Sequence, residues 1–141
     1  MKTPGDTEAT PVNIDIDITW NGTQPTYSFS GNNVSSDGTI DLSALADAAN
    51  IQFSLVSAGG EMFEADHAIA VMPMNNPNNC PAKGSGHASP VFSDPTVSDT
   101  RRALSITDHN GSSSGQFKYA LFMTNSNNQP IAACDPVIIN R

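Results

Sequence analysis

An aspartate followed directly by proline is the chemically weakest common peptide linkage. The aspartyl carboxyl can reach its own main-chain carbonyl by closing a small ring, and the tertiary amide nitrogen of proline is readily protonated as it leaves. The chain has two such bonds, Asp94-Pro95 and Asp135-Pro136. The first lies in a stretch of Pro, Asn, Gly and Ser and is expected to be inert. The second is crowded by Ile131, Ala132, Ala133 and Cys134 on one side and by Val137, Ile138 and Ile139 on the other. A carboxyl group there is expected to be buried, and burial raises the pKa of an acid that lacks a partner. Proline cannot donate to a sheet ladder, so Pro136 predicts an edge or a bulge at the same point.

An amine is the natural partner for such a carboxyl. Of the three lysines, Lys2 belongs to the N-terminal tail and Lys83 to a loop, whereas Lys118 stands inside a predicted strand. If the hairpin closes with Thr124 opposite Gln129, Lys118 faces Asp135 at the roughly 4.5–5.5 Å Cβ separation of cross-strand neighbours, close enough for an ion pair or a side-chain amide. A register shifted by one residue opposes Tyr119 to Asp135 instead and turns Lys118 to the other face. Sequence alone does not choose between the two. Asp135 and Lys118 are therefore the candidate catalytic residues, Asp135-Pro136 the candidate cleavage site, and Tyr119 and Asp108 secondary candidates. The plainer alternative is a structural salt bridge without chemistry.

Other constellations are weaker. Glu64, Asp66 and His67 come nearest to the spacing of a metal site, but mixed polar residues at a strand entrance are ordinary. His87 and His109 sit among Gly, Ser and Asn and read as surface histidines. Asp15 and Asp17 could act as paired carboxylates and fit better as the solvent face of a strand. The serines, including Ser112-Ser113-Ser114, lie in no nucleophile-elbow setting. No cofactor motif is present.

Fourteen acidic residues against six basic ones give a net charge of -8. Such a surface repels phosphate backbones and anionic lipid, which argues against nucleic acid or membrane as partner. The doublet Arg101-Arg102 lies between Asp99 and Asp108 and reads as locally neutralised. The segment as written carries no apolar leader or membrane-length run, so a soluble cytoplasmic chain is expected. Cys80 and Cys134 lack metal or redox spacing; compartment logic favours reduced thiols, with a Cys80–Cys134 disulfide as the alternative.

These residues need a scaffold. Val12, Ile14, Ile16, Ile18 and Trp20 alternate with polar residues, and Asn21-Gly22 follows, so residues 12–30 predict a β-hairpin. Ser43 to Ala49 is the one helix-like stretch, a turn or two with Asp41 or Ser43 as N-cap. Strands are predicted at Ile51–Leu55 and Ala68–Met74, the latter stopped by Pro73. Asn75 to Thr100 is an unusually long loop, and such loops are functional or mobile. Ala103–Asp108, Phe117–Thr124 and Ile131–Ile139 are expected to form a meander. The sum is a single all-β domain, an antiparallel immunoglobulin-like β-sandwich with a flexible tail at residues 1–10 and a small barrel as the runner-up.

The C-terminal third adds a resemblance. Ala103-Leu-Ser-Ile-Thr-Asp108, Gly115-Gln-Phe-Lys-Tyr119 and Cys134-Asp-Pro-Val-Ile-Ile-Asn140 together resemble the DP-EP family of small bacterial β-sandwich proteins, which is associated with self-cleavage at an Asp-Pro bond. The resemblance implies that Asp135 is the cleavage aspartate, that Pro136 becomes a new N-terminus, and that Lys118 can be joined to the aspartate. The released peptide would be Pro136–Arg141, retained as a strand. The Asn75–Thr100 insert and Cys134 depart from that pattern. The competing function is a non-catalytic interaction module using this loop and the acidic surface to meet a basic partner. Carbohydrate binding is a weaker variant, since Trp20, Tyr27 and Tyr119 are few for an aromatic platform.

Overall fold

The alternation from Val12 to Trp20 folds as a long strand, β1 (Thr10–Asn21), hairpinned onto β2 (Gln24–Gly31) with Asn21 opposite Gln24. Gly22 makes the turn with φ +65, a conformation open to glycine at no steric cost. Asp15 and Asp17 point to solvent while Val12, Ile14, Ile16 and Ile18 are buried. The computed structural model describes residues 9–57, 59–75, 80–88, 91–110, 115–134 and 136–140. Asp135, Ser112–Ser114, Arg141, most of the N-terminal tail and parts of the long loop therefore lie outside the described residues.

β1 is joined on its other edge by β4 (Ala49–Leu55), and beyond it by β8 (Ala103–Asp108) and β7 (Thr96–Val97). The second sheet is built around β9 (Gln116–Thr124). Along one edge of β9 lie β10 (Pro130–Ala133) and then β11 (Val137–Ile139), with β3 (Ile40–Asp41) beyond β11. Along the other edge lie β5 (Met62–Phe63) and β6 (Ile69–Pro73). The protein is all-β, without helix among the described residues, and none of these residues forms a helix long and apolar enough to cross a membrane. Both sheets contribute to one core. Ile14, Ile16, Phe53 and Ile106 come from the first sheet, and Phe117, Tyr119, Leu121 and Ile138 from the second. The rings of Phe53 and Tyr119 meet across the layers at 5.7 Å. Each such fully buried side chain contributes roughly 1.5–3 kcal/mol.

The structure departs from expectation in several places. Pairing is not wholly antiparallel: β1 runs parallel to β4, and β3 parallel to β11. The last strands are not a meander, because β8 belongs to the first sheet and β9 to the second; the expected pairing of β9 with the final segment does form. Ser43–Ala49 is not helical. Asp41 acts as a cap-like acceptor for the Ser43 N–H and hydroxyl, but the Asn110 amide takes the carbonyls of Leu42, Leu45 and Asp47. That leaves fewer acceptors for a helical ladder.

The long loop is also more structured than its composition suggests. It contributes β7 and a bridge from His87 to Val71, and Phe92 enters the core edge-on to Phe117 at 5.1 Å. Cys80 packs against Ala70, Ala120 and Phe122 on the outer face of the second sheet. Contrary to the expectation of free thiols, Cys80 and Cys134 form a disulfide with their Cα atoms 5.0 Å apart. Sequence distance concealed the pairing, since β9 and β10 carry Cys134 to the face that the loop crosses.

A disulfide closing 54 residues restricts the unfolded chain by about 4 kcal/mol in the chain-entropy account. Reduction, or the paired change Cys80→Ser and Cys134→Ser, is expected to lower unfolding free energy by up to that amount. Urea denaturation with and without reductant measures it.

Candidate functional site

The turn after β9 decides which residues meet. Asn125 Oδ1 accepts from the N–H groups of Asn127 and Gln129, and Asn125 N–H donates to the Gln129 carbonyl. Asn128 takes φ +62, which asparagine tolerates better than most residues. This turn places Thr124 opposite Pro130, one residue beyond the expected Gln129. The pairing Ala133↔Leu121 follows, but the next observed pair is Val137↔Lys118. Residues 134–136 therefore span the two positions 119 and 120, a one-residue bulge where Pro136 predicts one. Across the ladder Lys118 thus pairs with Val137. Asp135 itself lies outside the described residues.

Lys118 is only 5 % exposed. Alternation along β9 sends Phe117, Tyr119, Leu121 and Met123 into the shared core and sets Ala120 and Phe122 on the outer face under Cys80. Lys118 falls in the outer series, with Val137 beside it on one edge and Met72 on the other. A lysine in such a place is never merely a solvated charge.

Tyr119 and Pro136 form the other half of the site. Tyr119 N–H donates to the Pro136 carbonyl at 2.9 Å, and its hydroxyl donates to the Gly38 carbonyl at 2.6 Å. Burial, with Asp37 nearby, pushes the Tyr119 hydroxyl well above its usual pKa, so it remains a donor. Gly38 has φ +91, and a Cβ there would come within 2.9 Å of the Pro136 ring and 3.0 Å of Phe29. The Asp37-Gly38 turn is thus seated on buried Pro136. Its turn chemistry was legible in the sequence; its seat was not, because no local pattern links residue 38 to residue 136.

Asp108 lies at the end of β8. Its Oδ1 accepts from Asn110 N–H at 2.8 Å and from Asn140 Nδ2 at 2.9 Å, while Asp108 Oδ2 and Asn140 Oδ1 are buried without partners among the described residues. Burial raises Asp108 to about 6, against the hydrogen bonds from Asn110 and Asn140. A proton on Oδ2 converts one of the two orphan acceptors into a donor. Asp108 therefore anchors the C-terminal segment at Asn140.

Elsewhere, Glu64, Asp66, His67, Lys83 and Arg101 line a groove of about 450 Å³. Lys83 Nζ is 2.7 Å from Glu64 Oε2, and no three His, Cys, Asp or Glu side chains among the described residues gather as a metal set. Arg102 is structural: its guanidinium donates to the carbonyls of Leu55, Ser57 and Glu61. His109 is exposed, whereas His87 is partly covered and lies 3.2 Å from Asp94.

No protein-family model matches the chain, and no curated protein matches it.

Two outcomes follow from this geometry. Asp108 binds a proton more tightly folded than at its ordinary 3.8, so its contribution is fully present below about pH 4 and is lost as pH rises through about 6. Asp108→Asn is expected to flatten that part of the stability profile in urea midpoints measured across the window. Tyr119→Phe leaves the buried Gly38 carbonyl without its donor and is expected to cost about 1–3 kcal/mol.

Proposed function

We propose that the chain cuts its own Asp135-Pro136 bond and that Lys118 captures the aspartate as a side-chain amide. The observation that carries this reading is a lysine buried in β9, paired with the residue next to Pro136 where the strand register changes by one residue. Bulges recur beside active sites because they re-aim side chains.

The chemistry balances as follows. The Asp135 side-chain carboxyl, in its acid form, attacks its own main-chain carbonyl carbon, the C–N bond to Pro136 breaks, and the carboxyl proton passes to the proline nitrogen as it leaves. The product is a cyclic anhydride at residue 135. Pro136 is buried and held through its carbonyl by Tyr119 N–H, so the new amine remains close enough to re-form the bond. Capture removes that return path. Lys118 Nζ, having given up a proton, attacks the anhydride and forms an amide as one carboxylate leaves; water attacking instead leaves two free carboxyl groups.

The surroundings suit retention of both products. Residues 136–140 are tied by pairing to β9 and β3 and by Asn140 to Asp108. Cys134 precedes the scissile bond and is linked to Cys80. That disulfide also suits an oxidising compartment better than the cytoplasm.

Intact-mass spectrometry under denaturing conditions tests the proposal. Wild type is expected to give a chain lacking Pro136–Arg141, with a species lighter by one further water where Lys118 has been joined. Native size should barely change. Asp135→Ala is expected to remain whole, and Lys118→Ala to lose only the dehydrated species and to cut more slowly. A wild-type chain still at full mass after long incubation from acidic to neutral pH excludes the reaction.

A further inference from the structure

The alternation of β1 buries Val12, Ile14, Ile16 and Ile18 at 0–4 % exposure, yet Trp20, next in the same series, is 37 % exposed. Its orientation is set from beneath. Trp20 Nε1 donates to Glu61 Oε2 at 2.8 Å, and Glu61 Oε1 accepts from Ser57 Oγ at 2.9 Å. Glu61 is 1 % exposed. Burial works against its charge, but the bonds from Trp20 and Ser57, with Arg102 nearby, hold the carboxyl below its usual pKa. Arg102 in turn pins the carbonyls of Leu55, Ser57 and Glu61. A buried carboxylate and an arginine thus support one solvent-facing indole, the arrangement expected of a preorganised contact surface.

Trp20 borders a cleft of about 340 Å³ whose polar lining comes from Thr23, Asn125, Ser126, Asn127 and Gln129, with no charged side chain among the described residues that line it. This is notable on a chain of net charge -8. Asn125 Oδ1 is committed to the turn, but Ser126, Asn127 and Gln129 are exposed. Amides and hydroxyls both donate and accept, as vicinal hydroxyl groups require. The indole N–H is already engaged, so the ring offers its apolar face. An uncharged cleft on an acidic surface disfavours anions and offers a cation no carboxylate along its described lining.

We propose that this cleft binds a neutral saccharide, with a pyranose ring laid on Trp20 and its hydroxyls bonded to Asn127 and Gln129. The site is independent of the Asp135-Pro136 reaction.

Trp20 is the single tryptophan of the chain, so its emission reports directly on the cleft. Wild type is titrated with cellobiose, maltose, lactose and chitobiose up to ~10 mM, the range that resolves millimolar affinity. A saturable change with at least one sugar is expected. By calorimetry with that sugar, Trp20→Ala and the surface pair Asn127→Ala/Gln129→Ala should each lose binding at least tenfold, while Asp135→Ala binds as wild type. The surface pair leaves the core and the Trp20–Glu61 bond in place, so a folding defect does not mimic the loss. No saturable response to any of the four sugars, or undiminished binding by the surface pair, overturns the proposal.

Discussion

Strand β9 has neighbours along both edges and cover over both faces, and everything else in the second sheet is arranged around that fact. β10 and β11 share one edge, β5 and β6 share the other, the core lies on one face, and Cys80 packs on the opposite one. A strand so enclosed reads as a nearly unbroken buried run, and Phe117 to Thr124 is buried throughout. Lys118 is the exception in that run. Its backbone is enclosed by the ladder, with Val137 of β11 on one side and Met72 of β6 on the other.

Away from the ladders, the structure is held by side chains that collect carbonyl groups. Arg102 gathers three from the segment before β5, and Asn110 gathers three from the segment before β4. Buried backbone acceptors need partners, and irregular segments have no ladder to supply them. These two residues let short, uneven connections pass across the ends of the sheets without becoming helix or strand. Asp108 and Asn140 differ, since their bond leaves two buried acceptors with no donor among the described residues.

How much of this was legible depends on whether the signal was local. The alternation from Val12 to Trp20, the turn chemistry of Asn21-Gly22 and the pairing of β9 with the final segment follow from period and composition. Lys118 could be singled out because it interrupts an apolar strand. Its cross-strand neighbour could not be derived, because register depends on how Asn125 closes its turn and on three residues spanning two positions near Pro136. The parallel pairs, β1 with β4 and β3 with β11, leave no mark in either partner strand. Phe92 has only Val91 beside it in a polar stretch, and no periodic neighbours announce its place in the core. Ser43–Ala49 has the composition of a helix and was overridden by Asn110, a residue distant in sequence.

The place of β11 has a consequence for biosynthesis. Ile138 pairs at once with Ile40 and with Phe117, so β11 fills a slot between two strands made earlier. A chain emerging N-terminus first has β3 and the Gln116–Lys118 end of β9 waiting with open edges, and the tail of another copy fits them as well as its own. The short connection from Ala133 to Val137 settles that competition by keeping the chain's own strand at high effective concentration.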